Sequence, residues 1–212
     1  MPPDTIRLRS VSVGQPAFLG RHRGQDITSG IRKRPVDSSV VVVGRTNIAG
    51  DGQADLKNHG GPDKAIYCYP TAHLARWREE IGYAGDGIHA PFGENLSVDD
   101  IDEATACIGD IWRWGDVVVQ ISQPRWPCFK LRLHSGVPSM VKRFVASGRS
   151  GWYLRVLEPG TAPTSGEIEV IERDPLAIPV SLAFRARRDP DLDRATYERV
   201  MAHPALAESW RR

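Results

Sequence analysis

Cys128 sits in the run Pro124-Arg125-Trp126-Pro127-Cys128-Phe129-Lys130. The prolines restrict the backbone, and Arg125 and Lys130 place positive charge near the thiol, which favours the thiolate that binds metals or attacks electrophiles. The plainer alternative is a small buried hydrophobe, a common fate of unpaired cysteine. A second chemical feature is the glycine-rich, charged run from Gly50 to Ala65, with Gly60 and Gly61 beside Asp51, Asp55, Lys57, His59, Asp63 and Lys64. Glycines let successive amides converge on an anion, and His59 and Lys64 can donate to a phosphate. A polar surface loop whose glycines only make turns is the competing reading. Glu94 and Asn95, in Phe92-Gly93-Glu94-Asn95-Leu96, put a carboxylate beside an amide and could read the edge of a heterocycle, or simply turn the chain into a strand.

Other candidates are weaker. Cys68, between Tyr67 and Tyr69, reads as core, and so does Cys107 beside Ile108. His73 and His203 read as helix surface. No Gly-x-Ser-x-Gly elbow supports a Ser-His-Asp hydrolase, and no Cys-x-x-Cys pair or helical His pair supports structural zinc. Ile108-Gly109-Asp110-Ile111 and Trp114-Gly115-Asp116-Val117 read as turns joining strands.

The elements that must position these groups are mostly β. Runs at Ile6–Val13, Val40–Val43, Ala65–Tyr69, Val117–Ser122, Tyr153–Leu157 and Glu167–Glu172 are punctuated by Gly, Pro, Asp and Asn. The pattern predicts a mainly antiparallel, barrel-like sheet rather than βαβ alternation. Helices are expected as insertions: Ala72–Glu80 with Thr71 as N-cap, and Ser139–Ser147 ending at Gly148. After Pro175 the β-branched runs stop, and Asp189-Pro190-Asp191 and His203-Pro204 divide the remainder into three short helical segments. The expected organisation is therefore a barrel domain over 1–174 and a helical extension over 175–212. An extension this small must pack on the barrel or on a second subunit, which leaves a homodimer open.

Apolar residues make up 41% of the 212-residue chain and charged residues 25%, as in an ordinary globular protein. No run approaches the roughly 18 apolar residues of a spanning helix, so no membrane role is expected. The N-terminal residues lack a secretory pattern, and three widely spaced cysteines do not suggest a disulfide framework. A cytoplasmic address is expected. A formal net charge of +2 gives no reason to expect a nucleic-acid partner.

Taken in order, these motifs resemble the MOSC domain family, named for the C-terminal domain of molybdenum cofactor sulfurases, and within it the YiiM-like branch. The resemblance is carried by Gly50–Asp55, His59-Gly60-Gly61-Pro62-Asp63-Lys64-Ala65, Phe92–Leu96, Ile108–Asp110, Gln123–Leu131 and Gly151-Trp152-Tyr153-Leu154-Arg155-Val156, with the helical tail ending in Leu206–Trp210. It implies a MOSC-type β-barrel with inserted short helices and a C-terminal three-helix extension, holding molybdenum cofactor (molybdopterin). Cys128 would be the catalytic cysteine and the protein's ligand to molybdenum, since a soft thiolate suits a sphere completed by dithiolene sulfur. Lys64, Arg125 and His59 are the candidates for the cofactor's phosphate or oxyanion end, Glu94 and Asn95 for its pterin edge. Gly60, Gly61 and Asp51 join them as cofactor-binding positions, Asp51 by fixing its loop and orienting the basic residues. His59 is also the candidate proton donor. The implied activity is reduction of N-hydroxylated compounds such as hydroxylaminopurine-type base analogues. No flavin, iron–sulfur or nicotinamide motif is present in the sequence, so a separate electron-donating reductase is implied. A non-catalytic carrier of cofactor or sulfur is the alternative, and a metal-free phosphate-ligand binder is a third.

Overall fold

The computed structural model describes residues 4–54, 60–83 and 90–211. β1 (Thr5–Val13) alternates Ile6 and Leu8 inward with Arg7 and Arg9 outward, the period that a half-buried strand requires. The following strands are β2 (Ala17–His22), β3 (Gln25–Ser29), β4 (Arg34–Pro35), β5 (Val40–Val43), β6 (Ile66–Pro70), β7 (Leu96–Asp99), β8 (Ile111–Trp114), β9 (Val117–Pro124), β10 (Trp152–Glu158), β11 (Gly160–Pro163) and β12 (Gly166–Glu172). The main sheet runs β12-β8-β9-β10-β6-β7-β1, and β1 pairs back onto β12 through Thr5–Leu8 and Gly166–Glu169. A mainly β fold closed into a seven-strand barrel results, and closure removes the exposed edges that an open sheet would present. All of its ladders are antiparallel except β6–β7, which is parallel. Helix α1 (His73–Ile81) lies in the connection between those two strands, as a parallel crossover requires.

Helices α2 (Phe129–Ser135) and α3 (Met140–Ser147) fill the passage from β9 to β10. With α1 they enclose an aromatic cluster of Tyr67, Tyr69, Trp77, Phe92, Leu131, Met140 and Phe144. The larger core fills the barrel with Trp112, Trp114, Trp152 and aliphatic residues, and it continues without a break into Phe184, Val200, Leu206 and Trp210 of the C-terminal part. That part comprises α4 (Val180–Arg188), α5 (Arg194–Met201) and a 3₁₀ turn at Glu208–Trp210. It packs on the barrel of its own chain: the Ala207 amide donates to the Ser122 carbonyl (2.9 Å) and Ser209 Oγ to Gln123 Oε1 (2.9 Å).

Several expectations change. Thr71 does not cap α1; its hydroxyl donates to Asp99, and Ala72 occupies the N-cap. His203 is 1% exposed rather than on a helix surface, bonded through Nε2 to Asp174 (3.1 Å) and accepting at Nδ1 from the Ala205 amide (3.1 Å). His73 is likewise largely enclosed, 2.6 Å from the buried Glu103 carboxylate. Cys68 is core, whereas Cys107 is only partly buried. Asp110 does more than turn the chain: it is 1% exposed, accepts from the amides of Cys107 and Asp174 and pairs with Arg173, fastening the barrel to the start of the helical tail. Among the described residues, no helix is long and apolar enough to cross a membrane.

Candidate functional site

At its C-terminal end β9 delivers the cysteine segment. The Arg125 amide donates to the Gly151 carbonyl (3.1 Å), and Gly151 adopts φ 62° where a Cβ would lie 2.3 Å from the Cys68 carbonyl oxygen. Only glycine allows that approach. Cys128 follows in extended conformation as the N-cap residue of α2, partly exposed. It lines a cavity of about 100 Å³ together with Arg125, Trp126, Lys130, Tyr67 and Tyr153 on one side and Lys33, Asp51, Lys64 and Asn95 on the other. Four of these lining residues, Arg125, Lys130, Lys33 and Lys64, are basic, so the cavity offers positive charge around a soft sulfur.

Arg125 is 6% exposed, with its guanidinium carbon 5.0 Å from the ring centres of both Tyr67 and Phe144. Its Nη2 makes a long contact with the Phe92 carbonyl (3.5 Å), and Nη1 is buried with no hydrogen-bond partner. A buried, unmatched guanidinium nitrogen is costly and marks a place where a ligand is expected. Burial opposes its charge, but Tyr67, Tyr153 and Cys128 favour it, and the net effect holds Arg125 protonated more firmly than usual.

Opposite, Asp51 is the hub of a buried clasp. Its carboxylate accepts from the Gly14 amide (2.8 Å) and from Asn95 Nδ2 (2.9 Å), and it pairs with Lys33. Asn95 also donates to the Ser12 carbonyl (3.1 Å) and accepts from the Tyr67 amide (3.0 Å). Its amide is thus saturated by protein groups, which makes it a brace between β1, β6 and the Asp51 loop rather than a free edge. Glu94 stands behind the wall, 1% exposed, accepting from the Phe92 amide (3.0 Å) and Ser97 Oγ (3.4 Å). Burial pushes its carboxyl up to about 7, against its hydrogen bonds and Arg125.

Among the sequence candidates, Cys128, Arg125, Lys64, Asn95 and Asp51 therefore share one cavity, and Glu94 lies behind it. Gly61 takes φ 91° and its amide donates to Gln53 Oε1 (3.2 Å); neither it nor Gly60 lines the described cavity. His59, like Asp55 and Lys57, lies outside the described residues. Lys33, Tyr67 and Tyr153 were not singled out by sequence. Lys33 stands in a charged stretch with no motif of its own, and burial lowers its pKa while Asp51 works in the opposite direction. Tyr153 carried a signal in Gly151-Trp152-Tyr153, since the glycine fixes where that strand enters the site. Trp126 both lines the cavity and packs on Phe184 (5.1 Å between ring centres) and Trp210 (6.1 Å) of the tail.

A family model described as the MOSC domain matches residues 55–172, more than half of the chain. The chain belongs to the MOSC family. A second model, the YiiM-like 3-alpha helix domain, matches residues 178–212, the segment that carries Trp210 and the helices behind Trp126. This MOSC chain is 41% identical over its whole length to YflK of Bacillus subtilis, covering 94% of that protein. It is 35% identical to Protein YiiM of Escherichia coli over 87% of the chain and 82% of that protein. A further relative, from Gibberella moniliformis and named Reductase, is 37% identical over 71% of the chain but only 27% of its own length. Among solved structures, YiiM from Geobacillus stearothermophilus superposes with a TM-score of 0.78 at 32% identity, over 97% of this chain and 95% of that one. Among the described residues, no three His, Cys, Asp or Glu side chains gather into a protein-built metal site.

Proposed function

We propose that this MOSC protein binds molybdenum cofactor against Cys128 and reduces N-hydroxylated compounds of the hydroxylaminopurine type, with electrons from a separate reductase. The observation that carries the reading is the pairing, in one cavity, of a partly exposed cysteine with a buried guanidinium whose Nη1 has no partner. The residues fit such a group: the thiol is a soft ligand for molybdenum, and Arg125, Lys64, Lys33 and Lys130 suit an anionic, phosphate-bearing cofactor. When bound, the cofactor supplies two-electron chemistry at N–O bonds; the overall change is R–NHOH plus two electrons and two protons to R–NH2 and water.

The chain's own residues have separable tasks. Arg125 and the lysines neutralise the ligand's charge; Asp51 and Asn95 hold Lys33 and the facing wall; Trp126 closes the side next to the tail. His59 remains the proposed proton donor from the Gly50–Ala65 run. The Gibberella relative's name supports redox work, and its greater length is compatible with a MOSC unit that receives electrons from elsewhere. Three cysteines outside any disulfide suit a reducing cytoplasm.

The test is the molybdenum and released pterin content of wild type and Cys128→Ser, purified from a molybdenum-replete host that makes the cofactor. Near-stoichiometric cofactor that falls in the variant is expected. Its absence from both, even after reconstitution, would return the protein to the metal-free binders. Full occupancy with cofactor passed to an acceptor enzyme and no turnover of N-hydroxylated substrate would favour a carrier.

A further inference from the structure

The β2–β3 hairpin folds against α2 beside the cavity. The His22 ring stacks on Phe129, the first residue of α2 (4.3 Å between ring centres), and Arg132 Nη2 lies 3.4 Å from His22 Nδ1. Both elements reach the cavity: the end of β3 and the chain after it line it through Ser29, Ile31 and Lys33, and the start of α2 does so through Cys128 and Lys130. This face carries charge of one sign. Arg21, Arg23 and Arg32 are exposed on or next to the hairpin. Asp26 is the single carboxylate between Thr5 and Val36. From Val117 to Leu157 the chain has no Asp or Glu, yet it holds seven Lys and Arg, among them Lys130, Arg132, Lys142 and Arg143 of α2 and α3. Elsewhere opposite signs meet on the surface, as Arg9 does with Asp99 and Arg194 with Glu198. Beside Arg32 stands Phe18, 57% exposed, its carbonyl accepting from Arg32 Nη1 (3.3 Å). An exposed aromatic ring among arginines, with few carboxylates, has the composition of a protein interface.

We propose that the β2–β3 hairpin and the adjoining face of α2 are the docking surface for a small acidic electron-carrier protein, with Phe18 as its apolar anchor and the arginines around it. This rests on the reductase function proposed above, which draws electrons from outside the chain, and it adds where they enter. A carrier seated here stands against the wall that bears Lys33 and Lys130, which keeps the path to the cavity short. Opposite charge steers a brief encounter and raises its rate, which suits a carrier that must dock, deliver and leave. Each N–O reduction takes two electrons, given up singly by two reduced carriers that leave oxidised, with both protons drawn from water. A nucleic acid would meet the same charge, but the missing reactant at the adjoining cavity is an electron donor, and that favours the carrier.

The experiment is calorimetric titration of the protein with flavodoxin and with plant-type ferredoxin, two acidic carriers, and with an oligonucleotide, each at low and at physiological ionic strength. At least one carrier should bind, with an affinity that falls by about tenfold or more as salt rises. Arg23→Glu combined with Arg32→Glu should weaken that binding by about tenfold, and Phe18→Ser should weaken it without changing its salt dependence. The same reversal on barrel strands, Arg7→Glu with Arg113→Glu, should change it by less than about twofold. With cofactor-loaded protein and an N-hydroxylated purine, turnover driven by the reduced carrier should drop in the hairpin variant, while turnover driven by dithionite stays within about twofold. Failure of both carriers to bind, binding indifferent to the hairpin reversal, or tighter binding of the oligonucleotide overturns the docking surface, and dithionite-driven turnover then leaves the reductase standing. No turnover with dithionite overturns the reductase and the carrier role of this face together.

Discussion

Burial changes the chemistry of Glu94. Its carboxyl is raised from 4.5 to about 7 by burial, so the folded protein holds a proton that the unfolded chain releases. Between those two values the native state binds more protons, and stability falls as pH rises, levelling off above about pH 7. At about 1.4 kcal/mol per unit, the full effect is at most about 3.5 kcal/mol. Glu94→Gln keeps an acceptor for the Phe92 amide and removes the titration. Its melting temperature, followed by calorimetry from pH 4.5 to 7.5, should lack the decline attributable to this group in wild type. Asp51 poses the opposite problem, a buried carboxylate that needs its cation. Lys33→Met should cost about 3 kcal/mol in urea unfolding, because the Asp51 charge stays buried without it. Adding Asp51→Asn, which still accepts from Gly14, should recover much of that loss.

At the scale of elements, the cavity wall is built from loops that touch backbone to backbone. A Cβ at Gly30 would sit 2.3 Å from the Gly52 carbonyl oxygen, and one at Gly93, at φ 82°, would sit 2.5 Å from Ile31 Cγ1. Gly30→Ala should therefore force the Lys33 and Asp51 segments apart and destabilise by about 1–3 kcal/mol, measurable by thermal unfolding. Sequence periodicity located all six of the strands it named to within a residue or two, because Val, Ile and Tyr runs bounded by turn residues leave few other solutions. It missed the β2–β3 hairpin, whose Phe18-Leu19-Gly20-Arg21 lacks a clean alternation, and it missed α2, too short at Phe129–Ser135 to show a helical period. The cysteine and the arginine of the site were legible because their motif is local. The Lys33–Asp51–Asn95 clasp was not, because its members come from segments that only the closed barrel brings together. The buried His203 escaped sequence for the same reason: its partner is Asp174, distant in sequence, and local pattern cannot show it.

For the molecule as a whole, the tail and the barrel share one core. Trp210 is 1% exposed and donates through Nε1 to the Ala183 carbonyl (3.1 Å), while Arg187 lies over both Trp210 and Trp126. Trp210→Ala should cost about 3–5 kcal/mol, and calorimetry should show a single transition for barrel and tail rather than two. The pairing of β1 with β12 also sets a timetable. A ribosome produces Thr5–Leu8 long before their partners Gly166–Glu169, so the barrel cannot shut until every strand between them has been made. β1 is therefore made early and completed late, and it carries an open β edge until β12 has been synthesised.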